Sequence, residues 1–204
     1  MIEFSAKAVQ ITQPVDTWIR RAGERCLELG LNDIGSTLIK HAEHEAGHHL
    51  MLIEDTKHLV DYWNQHSPTK LKVDELIKSQ PTSAMVNYIE LHETTIKSST
   101  PFAQIAIELE IEGMSVSFGA KLLEHCRRVL PMECLIGTSF IQEHVELDVG
   151  HTALNKKMLG QILELHPESV NCLVQAGTKA IEYYVDFFTE CLTTAQELTE
   201  QIRT

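Results

Sequence analysis

His144-Val-Glu-Leu-Asp148-Val-Gly-His151 places an imidazole, a carboxylate and a second imidazole at positions i, i+4 and i+7. Residues three and four apart share one face of an α-helix, so the three side chains stand in a row. Ile136, Phe140, Leu147 and Leu154 fall on or beside that row, which predicts that it is turned inward. Ionisable groups on a buried face are costly unless they are paired or bound to metal. This one helix therefore sets what is expected of both fold and chemistry.

Two other predicted helices interrupt an apolar stripe in the same way. One is expected over about 33–64, capped by Asn32 or Asp33. Its stripe runs Ile34, Leu38, His41, Glu45, His48, Leu52, Asp55, Leu59, apolar at the ends and ionisable in the middle. An ordinary amphipathic helix keeps its charges on the outer face. The other runs from Phe102 to about Arg128, with Glu108 and Glu112 one turn apart on the side of Ile105, Ser115 and Gly119. Glu110 should point elsewhere. The helix carrying the opening motif should start near Met132 and end between Lys157 and Leu165.

Glu45-Ala-Gly-His48 and Asp148-Val-Gly-His151 are both carboxylate-x-x-His pairs. With 29 acidic residues and 11 His in 204, chance alone supplies roughly 1.6 such pairs, so the weight rests on the longer pattern and its core placement. Asp55-Thr-Lys-His58 is a third match whose His falls off the stripe. Such pairs on facing helices, with extra carboxylates, build dinuclear iron or manganese sites in helix bundles. Carboxylates can bridge two metals and offset their charge, and the related mononuclear set is two His and one carboxylate.

The rest of the chain agrees with an all-α protein: one domain over residues 1–204, a bundle of about seven helices. A first helix should run from Pro14 to Leu29, a short one near 73–78, another over about 82–97, and a last one from about Glu168 towards Leu198. The net charge of −12 excludes a nucleic-acid backbone or an anionic membrane surface as partner. No apolar run reaches membrane-spanning length and no secretory signal pattern opens the chain, so a cytoplasmic protein is expected. The five Cys lack a CxxC pair and read as buried small hydrophobes.

The pattern resembles the haem-oxygenase-like di-iron oxidases and oxygenases, also called iron-containing redox enzymes. Three pieces carry the resemblance, across residues 33–157. His144-x3-Asp148-x2-His151 matches the motif on the family's last core helix, Glu112-Gly113 the Glu of the middle one, and Glu45 with His48 the first. In some members the first carboxylate stands seven residues before the His, a position held here by His41. The resemblance implies a haem-oxygenase-like fold, two Fe(II) ions or Mn in their place, and O₂ as co-substrate. It further implies N-oxygenation, desaturation or oxidative C–C cleavage of a small amino-acid-like substrate, in a biosynthetic role. Glu45, His48 and His144 would hold one iron, Asp148 and His151 the other, and Glu112 would reach one or both. His41 and Glu108 are alternative ligands or supports.

Structural readings stand beside these. The His144–Asp148–His151 row could be a buried polar network, provided every member is satisfied. His92 reads as a surface residue, and the Tyr183–Phe188 cluster as core. Arg127-Arg128 first answer a helix dipole and second could anchor a substrate carboxylate. A haem oxygenase needs an axial His on an early helix, and residues 1–40 contain none. A thiaminase-like hydrolase would use Cys134 as nucleophile, and a non-catalytic metal-binding bundle is the third alternative. A homodimer is the base expectation.

Overall fold

The computed structural model describes residues 1–203, and among them every regular element is helical. The α-helices are α1 (Ile2–Thr12), α2 (Val15–Glu28), α3 (Asn32–Glu45), α4 (His48–His66), α5 (Val73–Ile77), α6 (Ser83–Lys97), α7 (Gln104–Val129), α8 (Met132–Leu135), α9 (Ser139–Leu165) and α10 (Val170–Arg203). With α3 and α4 taken as one broken rod, and α5 and α8 as single turns, the bundle has seven long rods. No helix is long and apolar enough to cross a membrane among the described residues.

Three boundaries differ from expectation, each for a local reason. The helix expected over 33–64 breaks after Glu45, because Gly47 takes φ +90, a conformation that glycine alone adopts without strain. α4 restarts on the Leu50 N–H to Gly47 C=O bond. The helix expected from Met132 is first interrupted by a 3-10 turn at Ile136–Thr138. There Gly137 lies so close to α4 that a Cβ would fall 2.6 Å from Leu59 Cγ. An additional helix, α1, precedes Pro14. Phe4, Ala8 and Ile11 form its buried stripe, and Gln10 Nε2 ties it to the carbonyls of Ile77 and Ser79 at 2.7 and 2.9 Å.

α2 does end where Gly30 predicts. Gly30, at φ +81, donates to Leu27 O, and Leu31 N reaches back to Cys26 O, a Schellman stop. α7 and α9 run antiparallel. Gly119 meets Val145 and Ile141, and Glu112, two turns earlier, meets His151 and Asn155. On α9 the buried residues are Ile141, Asp148, His151, Asn155, Met158 and Ile162. That is a seven-residue spacing in two interleaved rows, the seam of two helices packed side by side. Ile136 and Leu147, expected on this face, are 61% and 40% exposed. The row is turned inward by Ile141, Met158 and Ile162 instead.

His92 is fully buried rather than exposed. Its ring stacks on Trp18 at 4.0 Å, and its Nδ1 lies 2.7 Å from Gln104 Nε2. The amide can only donate there, so Nδ1 accepts and the imidazole is neutral. Burial, only partly opposed by Gln104, pushes its pKa from 6.5 down to about 3. Between those values the unfolded chain binds a proton that the folded chain does not. Stability should therefore fall as the pH drops below 6.5, by about 1.4 kcal/mol per unit for this one group. Urea unfolding at pH 7, 6 and 5 measures that slope, and His92→Phe, which keeps the stacking, should flatten it by about one proton.

Candidate metal centre

Four helices deliver the site. His41 and Glu45 come from the last turn and a half of α3, His48 from the first residue of α4, Glu108 and Glu112 from α7, and His144, Asp148 and His151 from α9. The break at Ala46–Gly47 turns His48 back, so that its Nδ1 lies 2.9 Å from Glu45 Oε2.

Donor atoms gather at two points. His41, Glu45, Glu112 and His151 each offer one atom within 4.8 Å of the others, and so do Glu45, His48 and His144. In the first group, His41 Nε2 is 3.0 Å from Glu112 Oε1 and 3.6 Å from Glu45 Oε1. His151 Nδ1 is 3.1 Å from Glu45 Oε1 and 3.8 Å from Glu112 Oε1. Ligand bonds of about 2.1 Å at right or tetrahedral angles put neighbouring donors about 3.0–3.4 Å apart. The separations are thus close to the edges of a coordination polyhedron. Glu45 belongs to both groups, with Oε1 in the first and Oε2 in the second.

The two groups differ in how their atoms are satisfied. In the second, His144 Nδ1 donates to Phe140 O at 2.7 Å. That contact fixes the tautomer and leaves the unprotonated Nε2 turned to His48 Nδ1, 3.1 Å away. In the first, His41 Nε2, Glu45 Oε1, Glu112 Oε1 and His151 Nδ1 are all buried without a hydrogen-bond partner. Some of these atoms stand at hydrogen-bonding distance from each other, but their directions do not meet hydrogen-bond geometry. They lie within 4.8 Å of one another. Orphaned buried polar atoms are rare in native proteins and call for an explanation such as an ion. The donor set, imidazole and carboxylate without thiolate, suits a divalent metal ion.

Charge says the same. Burial drives the Glu108 carboxyl up to about 8, with Glu112 adding to it, and burial raises Glu112 as well. Burial opposes ionisation of His41, yet Glu112 and Glu45 outweigh it and hold that imidazole near 10. Asp148, then Glu45, raise His151 to about 9. Glu45 is held below the usual carboxylate range: burial opposes this, but three imidazoles, His151, His41 and His48, outweigh it. Protons on these residues balance a surplus of buried carboxylate, which is the balance that metal cations displace on binding.

His41, read from sequence as an alternative ligand or support, sits inside the first group beside Glu45. Asp148 stands outside both groups, its Oδ1 3.5 Å from His151 Nδ1. Glu108 accepts from Gln104 Nε2 at 2.5 Å and also lies outside both. One support carries no ionisable signal of its own in the sequence pattern. Asn155 Nδ2 donates to Glu112 Oε2 at 2.6 Å, which aims Oε1 at His41 and His151. The available signal was its position seven residues after Asp148. Asp55, from the ionisable stripe of the second predicted helix, is buried and caps α9 through Ser139 N, Ser139 Oγ and Phe140 N. Asn155→Ala should weaken metal binding about 10- to 100-fold with little change in fold, as loss of a ligand-orienting contact does. Competitive titration against a fluorescent chelator reads it.

A cavity of about 400 Å³ opens onto Glu45, Glu108, Glu112, His144 and Asp148. Ile11, Ile111, Met114, Leu122, Ile141 and Phe188 make its walls, and no Lys or Arg lines it. The sequence shows no exceptional apolar channel, because these residues come from four separate helices. Tyr184 and Phe188 face the cavity, and Phe187 alone of the aromatic cluster is fully core. Arg127 and Arg128 are exposed and take no part. Cys134 is 6% exposed, lines no part of the cavity, and has its thiol pKa raised by burial and by Glu133, the opposite of an activated nucleophile.

The chain matches no family model, and no curated protein matches its sequence. Among solved structures it is similar to a domain of unknown function with a heme oxygenase-like fold from Shewanella denitrificans OS217. The TM-score is 0.79 at 16% identity, over 97% of this chain and 79% of that one. The chain has the haem-oxygenase-like fold.

Proposed function

We propose that the protein is a non-haem di-iron oxidase or oxygenase, which uses O₂ to oxidise a small molecule held in the apolar cavity. One iron would be held by Glu45, His48 and His144, and the other by His41, Glu45, Glu112 and His151, with manganese fitting the same donors. What carries the reading is the four buried, unpartnered donor atoms gathered within 4.8 Å of one another. Bound iron(II) would supply the electrons that reduce O₂.

The protein's own residues would do the rest. Phe140 O keeps the His144 proton on Nδ1, so Nε2 faces inward. Asn155 holds one Glu112 oxygen and leaves the other free. The apolar walls exclude water beside the reacting centre, where electrostatic interactions are stronger. Cys134, the nucleophile of the hydrolase alternative, is not among the residues that line the cavity. N-oxygenation, desaturation and oxidative C–C cleavage all fit such a site.

Anaerobic titration with Fe(II), followed by exposure to O₂, tests the proposal. About two tightly bound equivalents and O₂ consumption are expected. Fewer than one equivalent would refute it, and two equivalents without O₂ consumption would make the protein a metal-binding bundle.

A further inference from the structure

The cavity walls are built from rings, and this shapes what they hold, given the di-iron reading of the site beside them. Six of the chain's twelve Phe, Tyr and Trp residues line the cavity: Phe4, Tyr88, Phe118, Phe140, Tyr184 and Phe188. Leucine is the most frequent apolar residue of the chain, yet of its 23 copies only Leu122 is in the lining. A wall drawn evenly from the chain would carry more leucines than rings.

The rings are also arranged. Tyr88 from α6, Tyr184 and Phe188 from α10, and Phe4 from α1 form one continuous file. The Tyr88 and Tyr184 centres lie 5.7 Å apart at 66°, and those of Tyr184 and Phe188 5.3 Å apart at 72°. Phe188 and Phe4 stack at 5.0 Å and 9°. These are the separations at which aromatic rings attract beyond their buried area. The Phe140 ring centre lies 3.9 Å from that of His144, so the aromatic lining reaches the donor group of Glu45, His48 and His144.

Buried area does not choose a flat ring over a saturated body of the same size, since burial rewards both. The quadrupole does. Each ring–ring pair favours an aromatic ligand by about 2- to 13-fold beyond its area, and an alkyl chain or saturated ring has no quadrupole to match. At about 30 Å³ per non-hydrogen atom, the cavity of about 400 Å³ holds about thirteen such atoms.

We propose that the substrate carries a planar aromatic ring, with about ten to thirteen non-hydrogen atoms in all, and lies against the file of Tyr88, Tyr184, Phe188 and Phe4. The walls select the ring and not the charge of its substituent. Aromatic amines and aromatic amino acids fall in this class, and long aliphatic chains do not.

Three alcohols of eleven non-hydrogen atoms test this by calorimetric titration of the full-length, metal-free protein: 4-phenylbutan-1-ol, 4-cyclohexylbutan-1-ol and decan-1-ol. The phenyl compound is the least hydrophobic of the three, and it should still bind at least about fivefold tighter than either of the others. Phe188→Leu should cut that preference at least about twofold, while Tyr184→Phe, which keeps the ring, should retain it. Tyr184→Leu, at a half-buried position, takes the place of Phe188→Leu if that variant does not fold. Selectivity below about fivefold over either saturated alcohol would overturn the proposal. So would absence of binding by the phenyl compound, or a preference that the folded leucine variant leaves unchanged. Iron stoichiometry is read separately, by anaerobic Fe(II) titration. Ring preference without iron binding would end the oxygenase reading and leave an aromatic-ligand site, whereas two irons without ring preference would end this proposal alone.

Discussion

Glu45→Ala is expected to leave the helical bundle intact and to lower iron binding at both sites together. Glu45 is the one side chain common to the two donor groups, with Oε1 3.1 Å from His151 and Oε2 2.9 Å from His48. Removing it strips one carboxylate ligand and one negative charge from each. Loss of a ligand-orienting neighbour alone costs about 10- to 100-fold in metal affinity, and loss of a shared ligand should cost more at both positions. His144→Ala is the comparison. It touches only the group of Glu45, His48 and His144, and should leave about one tightly held iron. Anaerobic titration with stoichiometry read by elemental analysis separates the two variants. Two tight equivalents in Glu45→Ala would end the shared-carboxylate reading.

Asp55→Ala should be the most destabilising single change outside the apolar core. The carboxylate is 2% exposed and accepts from Ser139 N at 3.1 Å, Ser139 Oγ at 2.7 Å and Phe140 N at 3.0 Å. It reaches across from α4 to cap α9, so it does for α9 what a residue of that helix would do elsewhere, and it also favours the helix N-terminal dipole. Charge-assisted bonds of this kind contribute about 1.5–3 kcal/mol each when broken on one side, with losses not additive. A loss of about 3 kcal/mol is expected, which for a chain of this length lowers Tm by about 6–12 °C. Phe140 also holds His144 through its carbonyl, so the variant should lose iron at the His48 side first. Thermal unfolding of metal-free protein gives the stability change, and a Tm within about 2 °C of wild type would show that the cap is dispensable.

The candidate site residues were legible because they violate helical patterning. A carboxylate or imidazole in the middle of an apolar stripe is visible wherever the period is regular, and Glu45, His48, Glu112, His144 and His151 all announce themselves in this way. His92 is buried rather than exposed: a lone His carries no such contradiction along its own helix, and the facing Trp18 and Gln104 cover it. Asn155 was passed over because an amide on a seam is unremarkable until Glu112 is found opposite. The helix at residues 2–12 was missed because its stripe is short and its start has no side-chain cap.

The sequence by itself determined an all-helical bundle and the rows of ionisable residues facing inward, because both follow from periodicity along one helix, a local property. How those rows meet was decided by the tertiary structure alone. The 144–151 row was expected to divide between two metals, with Asp148 and His151 on one of them. In the folded chain His144 joins Glu45 and His48, His151 joins His41, Glu45 and Glu112, and Asp148 turns to the cavity. The reason is that residues i, i+4 and i+7 share a face but not a single point. The bend at Gly47 and the antiparallel register of α7 against α9 choose which of them a given partner can reach. The cavity follows the same logic, since no single helix holds more than part of its wall.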